Sequence, residues 1–253
     1  MVDGHSMFDL QGRTALITGG SRGLGRAMAF GFARAGADVV IASRDQASCD
    51  GTANEVADST GRRVLPIACH VGDWKALDNL VEHAYQEFGR IDILINNAGS
   101  SPIVADVAAA PEALLDKILA VNLKSVFRLS SLIGTRMAAG DGGAIVNISS
   151  NVAVRPDVMA VPYGAAKAGV ENLTVAFAHL FGPKVRVNCI RAGAFLTDIS
   201  KSWPEEWFAD LMPTYALGRA GEPDEIVGTA LYLSSPASSY TTGSVLVVDG
   251  GIP

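Results

Sequence analysis

Tyr163 and Lys167 stand four positions apart, and Ser150 lies thirteen residues before the tyrosine. On a helix, positions i and i+4 share one face, so phenol and ammonium can meet. A free phenol titrates near 10, too high for an efficient base at neutral pH. An ammonium about 4 Å away contributes about 4 kcal/mol at an effective dielectric of about 20, or roughly three pK units. The expectation is a tyrosine drawn down toward neutrality by its lysine, able to give and take an alcohol proton. Ser150 follows a β-branched strand and offers a hydroxyl that could steady an alkoxide as hydride arrives at a carbonyl. Taken singly, each residue also has a plain reading, as packing, a polar plug or a solvated charge.

A second cluster suits a dinucleotide. The run Thr18-Gly19-Gly20-Ser21-Arg22-Gly23-Leu24-Gly25 follows the first strand and opens an apolar helix. Glycines there allow a tight turn, close approach of backbone to pyrophosphate, and close helix–strand packing. The helix N-terminus then turns its free N–H groups toward the phosphates. Gly19, Ser21, Arg22, Gly23, Leu24 and Gly25 are therefore candidate cofactor residues.

The next strand ends Ala42-Ser43-Arg44. An NAD site places an acid there for the ribose 2′-hydroxyl, whereas an NADP site places arginine. Ser43 stands where the acid is expected, Arg44 follows, and Arg22 is a second cation within reach. Their forked guanidinium groups match a 2′-phosphate, so the expected cofactor is NADP(H). Asp45 keeps open the reading of Arg44 as a solvated surface charge.

These residues need rigid elements to hold them. Strands are expected at Thr14–Thr18, Asp38–Ala42, Val64–Ala68, Ile91–Asn96, Ala144–Ile148, Val185–Ile190 and Val245–Val248. Helices are expected near Gly23–Arg34, Gln46–Ser59, Trp74–Phe88, Pro111–Met137, Tyr163–Leu180 and Asp224–Leu233. Such alternation implies an α/β fold with one doubly wound parallel sheet and helices on both faces. No linker divides residues 1–253, which read as a single Rossmann-fold domain. Residues 1–6 read as an added or unstructured leader ahead of Met7.

The motifs Asn96-Asn97-Ala98-Gly99, Asn122, Ser149-Ser150 and Tyr163-Gly-Ala-Ala-Lys167, in that order, resemble the short-chain dehydrogenase/reductase family. The likeness runs from the glycine loop to Val248-Asp249-Gly250-Gly251. It implies seven strands in the order 3-2-1-4-5-6-7 and an active site at their carboxyl ends. It also implies a catalytic tetrad of Asn122, Ser150, Tyr163 and Lys167, with the lysine on the nicotinamide ribose and the asparagine anchoring a relay water. Val71, Asn97, Ala98, Gly99, Gly193 and Thr197 would join Tyr163 and Lys167 around the cofactor. Two positions depart from the pattern: Ala192 replaces the proline before Gly193, and His70 replaces the acid before Val71. His70 puts the adenine contact in doubt.

Residues 194–219 fall where the family keeps its substrate lid, and they carry Trp203, Pro204, Trp207, Phe208, Met212, Pro213 and Tyr215. Aromatic residues there suit an apolar or mixed substrate, or simply pack the lid down. The chain is similar to NADP(H)-preferring 3-oxoacyl-acyl carrier protein reductase-like members. The basic docking residues of such enzymes are poorly matched by Ala139-Gly140-Asp141 and Gly182-Pro183-Lys184. A 3-oxoacyl-thioester, a sugar or polyol, and another ketone all stay open, as does a silent NADP-binding regulator on the same scaffold.

Composition bounds the rest. A net charge of −6 argues against a nucleic-acid partner. Cys49, Cys69 and Cys189 show no paired spacing and read as free thiols in a reducing, cytoplasmic setting. The four histidines show no metal-ligand spacing. The uncharged stretch Ile226–Val248 is broken by Pro236 and Gly243 and does not read as a membrane span. Leu114–Met137 and Val170–Leu180 are apolar on nearly every side, so a homo-oligomer, tetramer or dimer, is expected to cover them.

Overall fold

At least one helix separates each β-branched run from the next in sequence, so the runs pair in parallel to satisfy their backbones. In the computed structural model these are β1 (Thr14–Thr18), β2 (Asp38–Ser43), β3 (Val64–Ala68), β4 (Ile93–Asn96), β5 (Gly143–Ser150), β6 (Val185–Ala192) and β7 (Val245–Val248). They form one sheet in the order β3-β2-β1-β4-β5-β6-β7, every pair parallel. The structure describes residues 6–104, 106–198, 200 and 205–253. The expectation of a leader at residues 1–6 falls almost wholly outside them.

Period-two alternation splits the core into two layers. Ala15, Ile17, Val39, Ile41, Val146 and Ile148 face one way, against Met28, Phe32, Ile226 and Leu233. Leu16, Val40, Leu94 and Ile145 face the other, against Leu80, Leu129, Ile133 and Phe177. The helices are α1 (Gly23–Arg34), α2 (Gln46–Thr60), α3 (Trp74–Phe88), α4 (Glu112–Leu119), α5 (Ser125–Ala139), α6 (Val161–Phe181), α7 (Glu205–Leu211) and α8 (Val227–Ser234). Asp45 and Asp73 cap α2 and α3 through their side chains, and Gly61 and Gly89 close them in the left-handed region.

Three outcomes differ from the sequence reading. The expected long helix Pro111–Met137 is two helices joined by a π turn, Ala120–Lys124. The run Glu112–Ala139 is long and apolar enough to cross a membrane, yet half of its most apolar window is buried in the protein. It packs on α3, β4, β5 and α6 as a core element. Its apolar side chains are also less orphaned than expected. Ile118, Val126, Leu129 and Ile133 are buried, whereas Phe127 is 44% exposed. Finally, the lid carries a short helix, α7, that periodicity did not reveal.

Candidate active site

The first βα turn is built around missing Cβ atoms. Gly19 and Gly23 adopt φ of +66° and +51°, which side-chain-bearing residues rarely accept. A Cβ on Gly25 would strike the Gly19 carbonyl and come within 2.6 Å of Asn97 Nδ2. A Cβ on Gly23 would sit 3.2 Å from the Thr197 methyl. The result is a thin-walled cradle at the start of α1, and no side chain caps that helix. Its first N–H groups are therefore left for an anion.

Beside the cradle, Ser43 Oγ accepts a 3.3 Å hydrogen bond from the Ser21 amide, tying the end of β2 to the loop. Arg22 and Arg44 are both exposed, and neither forms an ion pair among the described residues. Asp45, next to Arg44 in sequence, accepts from the Ser48 amide at 2.8 Å and the Ser48 hydroxyl at 2.5 Å. Two unspent guanidinium groups thus flank a position holding no carboxylate.

Val71 is buried in the core after β3. His70 is exposed, and its Nδ1 accepts from the Gly72 amide at 3.1 Å, closing a local turn. Asn97 fastens the two loops together: Nδ2 donates to the Thr18 carbonyl at 2.9 Å, while Thr18 Oγ1 accepts from the Asn97 and Ala98 amides. Gly193 has room for no side chain, since a Cβ would lie 2.6 Å from Asp249. Ala192, in place of proline, keeps an N–H and continues β6, paired with Ser150 and Val248. The structure therefore gathers the glycine loop, Asn97 and Thr197 at one place.

The expected tetrad also assembles. Asn122 is fully buried in the π turn. Its Nδ2 donates to the Ile118 and Ser100 carbonyls, both at 2.9 Å, and its Oδ1 accepts from the Ser100 amide at 3.1 Å. The amide side chain thus occupies the Ile118 carbonyl at the π turn and fixes the loop after β4. A Cβ on Gly99 would come 3.1 Å from Asn122 Oδ1 and 3.6 Å from Lys167 Nζ, so only a bare backbone fits there. Ser150, ending β5, lies beside the Tyr163 hydroxyl and lowers its pKa slightly against the effect of burial. Lys167 is buried; its Nζ donates to the Ile148 carbonyl at 2.7 Å and lies 5.6 Å from the Tyr163 ring centre.

One electrostatic expectation is corrected. Tyr163 is not drawn toward neutrality: burial pushes its pKa up to about 12, with the Ser150 hydrogen bond opposing weakly. Burial also pushes Lys167 down to about 8, with Cys189 opposing. The physical reason is desolvation, which disfavours phenolate and ammonium alike. Below about 8 the lysine still carries its charge, so it remains a cation at neutral pH while burial holds the phenol's pKa up.

Sequence reasoning missed a supporting network. Ser149 Oγ donates to Glu171 Oε1 at 2.9 Å, and Arg191 grips the same carboxylate at 2.9 and 2.6 Å. This joins β5, α6 and β6 directly behind Ser150 and Lys167. The available signal was Glu171 itself, a lone acid in the apolar run Val170–Leu180. The three cysteines are free and buried, and no metal-holding cluster occurs among the described residues.

Known proteins share this arrangement. A family model described as enoyl-(acyl carrier protein) reductase matches residues 19–253. The 3-oxoacyl-acyl-carrier-protein reductase FabG of Thermotoga maritima is 35% identical over 244 residues, covering 96% of this chain and 98% of that one. The 2-dehydro-3-deoxy-D-gluconate 5-dehydrogenase of Pseudoalteromonas atlantica is 35% identical over 247 residues, 96% and 97% of the two chains. The crystal structure of the NADPH-dependent 3-quinuclidinone reductase of Rhodotorula rubra aligns with a TM-score of 0.94 at 30% identity, over 99% of this chain and 96% of that one. The chain belongs to the short-chain dehydrogenase/reductase family, oxidoreductases that use a nicotinamide cofactor.

Proposed function

We propose that this protein is an NADP(H)-dependent oxidoreductase interconverting a ketone and a secondary alcohol, with Tyr163 as its general acid and base. The observation that carries the reading is the junction of Ser150, Tyr163 and buried Lys167 at the carboxyl end of β5, beside a glycine cradle that side chains would fill. The residues fit a dinucleotide: an uncapped helix end for pyrophosphate, and Arg22 and Arg44 for a 2′-phosphate. The NADPH dependence of the Rhodotorula reductase supports the same choice. When bound, the nicotinamide supplies or accepts the hydride.

The protein supplies the proton and the orientation. Ser150 donates to the carbonyl oxygen and stabilises the charge that develops there. Tyr163, with a pKa near 12, keeps its proton through neutral pH and is therefore suited to delivering it to a nascent alkoxide. Lys167 holds the ribose and, through Ile148, the strand carrying Ser150. Asn122 positions the segment at Ser100. Exposed Phe127, Val175 and Leu180 on α5 and α6 support a homo-oligomeric assembly, and three buried free thiols suit the cytoplasm.

The test is NADPH and NADH oxidation across a panel of carbonyl compounds. Turnover with NADPH, lost in Tyr163→Phe, is expected. A preference for NADH would overturn the cofactor assignment, and no turnover with any carbonyl would overturn the enzymatic one.

A further inference from the structure

The proposed site leaves open which carbonyl it serves, and its rim is informative. Two loops border the Ser150–Tyr163 pair: one after β4, described at residues 97–104 and 106–111, and one at residues 151–160 between β5 and α6. They touch, since the Val104 amide donates to the Met159 carbonyl at 2.9 Å. A third segment at the carboxyl end of the sheet, the stretch after β6, carries Leu196. These three segments expose Ile103, Val107, Val154, Val158, Met159 and Leu196. Val158 and Ile103 are the extremes, at 77% and 67% exposure. Water-facing aliphatic groups concentrated on functional loops mark a binding surface.

The polar inventory of the same loops points the same way. Among the described residues 100–104, 106–110 and 151–160, the charged or amide side chains are Asp106, Asn151, Arg155 and Asp157, beside the hydroxyls of Ser100 and Ser101. Each of those charged or amide groups is engaged by the protein itself. Asp106 accepts from the Ala108 and Ala109 amides, and Asp157 from the Met159 amide. Arg155 donates to the Ile252 carbonyl at 2.8 Å, and Asn151 to Asp249 at 3.2 Å. A polyhydroxylated substrate needs unspent, convergent donors and acceptors, because each buried hydroxyl left unpaired is costly. The rim offers hydrocarbon instead.

We infer that the substrate is a ketone bearing an extended hydrocarbon or aryl substituent, which lies along Ile103, Val158 and Met159, and not a sugar or polyol. The inference rests on the oxidoreductase reading given above. It goes further by choosing between the chemistries that its relatives divide between them.

The experiment measures kcat/KM with NADPH for a homologous series of methyl ketones of increasing chain length, beside a ketohexose and a keto-sugar acid. The expected result is a rise of about three- to fourfold per added methylene until the rim is filled, with both sugar-derived ketones far slower. Val158→Asp is surface-exposed and is expected to fold, as cofactor binding would verify. It should cut the ratio of long-chain to short-chain kcat/KM at least tenfold. A flat or falling series, an unchanged ratio in Val158→Asp, or preferred turnover of a sugar ketone overturns the inference while leaving an oxidoreductase standing. No turnover of any carbonyl overturns both readings.

Discussion

The Lys167 ammonium donates a 2.7 Å hydrogen bond to the Ile148 carbonyl, two residues before Ser150, and so ties α6 to β5 at the reacting end of the sheet. The contact is bought by burying a cation. Lys167 titrates at about 8 in the folded protein against 10.5 unperturbed. Between those values the unfolded chain binds the additional proton, so stability rises with pH there. Below about 8 the penalty is complete, and above 10.5 it is gone. Lys167→Met should therefore be more stable than the native protein at pH 7, and inactive. The difference in unfolding free energy should shrink by about 1.4 kcal/mol per pH unit from about pH 8 upward. Denaturant unfolding of both proteins from pH 6 to 10 checks this, and a difference constant across that range refutes it.

The proposed preference for NADP(H) rests on Ser43, Arg44 and Arg22. Arg44→Ala should weaken NADPH by about tenfold or more, the size of one charge-assisted contact, and leave NADH nearly unchanged. Ser43→Asp should reverse the preference, since a carboxylate beside the Ser21 amide repels a 2′-phosphate and accepts from a 2′-hydroxyl. Titration of both cofactors into native and variant proteins decides the matter. Equal losses for NADPH and NADH in Arg44→Ala would remove the assignment.

Two glycine substitutions separate cradle from helix. Gly25→Ala places a methyl against the Gly19 carbonyl and 2.6 Å from Asn97 Nδ2, so loop and α1 must part. Overpacking of this kind costs about 1–3 kcal/mol, and cofactor binding should fail with it. Gly51, inside α2, has nothing within 4 Å of its would-be Cβ. Gly51→Ala should stabilise by about 0.5–1 kcal/mol through helix propensity alone. Thermal melts and cofactor affinity measured side by side test the contrast.

How much of this was legible in the chain depends on the range of the forces involved. The strand runs and the glycine turn are local, so periodicity placed β1, β3, β7 and α1 at their observed bounds. The sheet order came from the family resemblance, since periodicity says nothing of which strands lie side by side. The π turn at Asn122 was hidden, because a single buried amide taking the Ile118 carbonyl leaves no periodic trace. The Tyr163 pKa was misjudged for a related reason: spacing shows that Lys167 is near, but only three dimensions show how little water surrounds either group. The Glu171–Arg191 pair joins residues twenty positions apart and could be seen only once α6 lay on β6.

Assembly state is a further consequence of surface chemistry. Phe127 stacks on Trp74 at 6.4 Å and meets Phe177 in a tilted pair at 5.8 Å, yet stays 44% exposed, and Leu180 is 67% exposed. An apolar stripe on two adjacent helices suits a two-fold interface. Phe127→Glu should place like charges across such an interface and shift the protein toward a smaller species without unfolding it. Light scattering at micromolar concentration reads the mass, and a native protein that is already monomeric ends the proposal.

The roles proposed for Ser150, Tyr163 and Lys167 predict three different failures. Tyr163→Phe removes the proton but little packing, so turnover should vanish while NADPH affinity stays near native. Ser150→Ala removes a donor to the developing alkoxide and should cost about 10²–10³ in kcat, as loss of one oxyanion donor does. Lys167→Ala should damage cofactor affinity and turnover together. The pH dependence distinguishes them again. In the free protein Tyr163 holds its proton to about 12, whereas Lys167 loses its own near 8. For carbonyl reduction, kcat/KM should therefore be level through neutral pH and fall as pH passes about 8, with the lysine and not the tyrosine setting the limb. Measured separately, cofactor affinity, kcat and this limb keep the three roles apart. A native-like kcat in Tyr163→Phe, on a substrate the native protein reduces, would mean that the proton travels by another route.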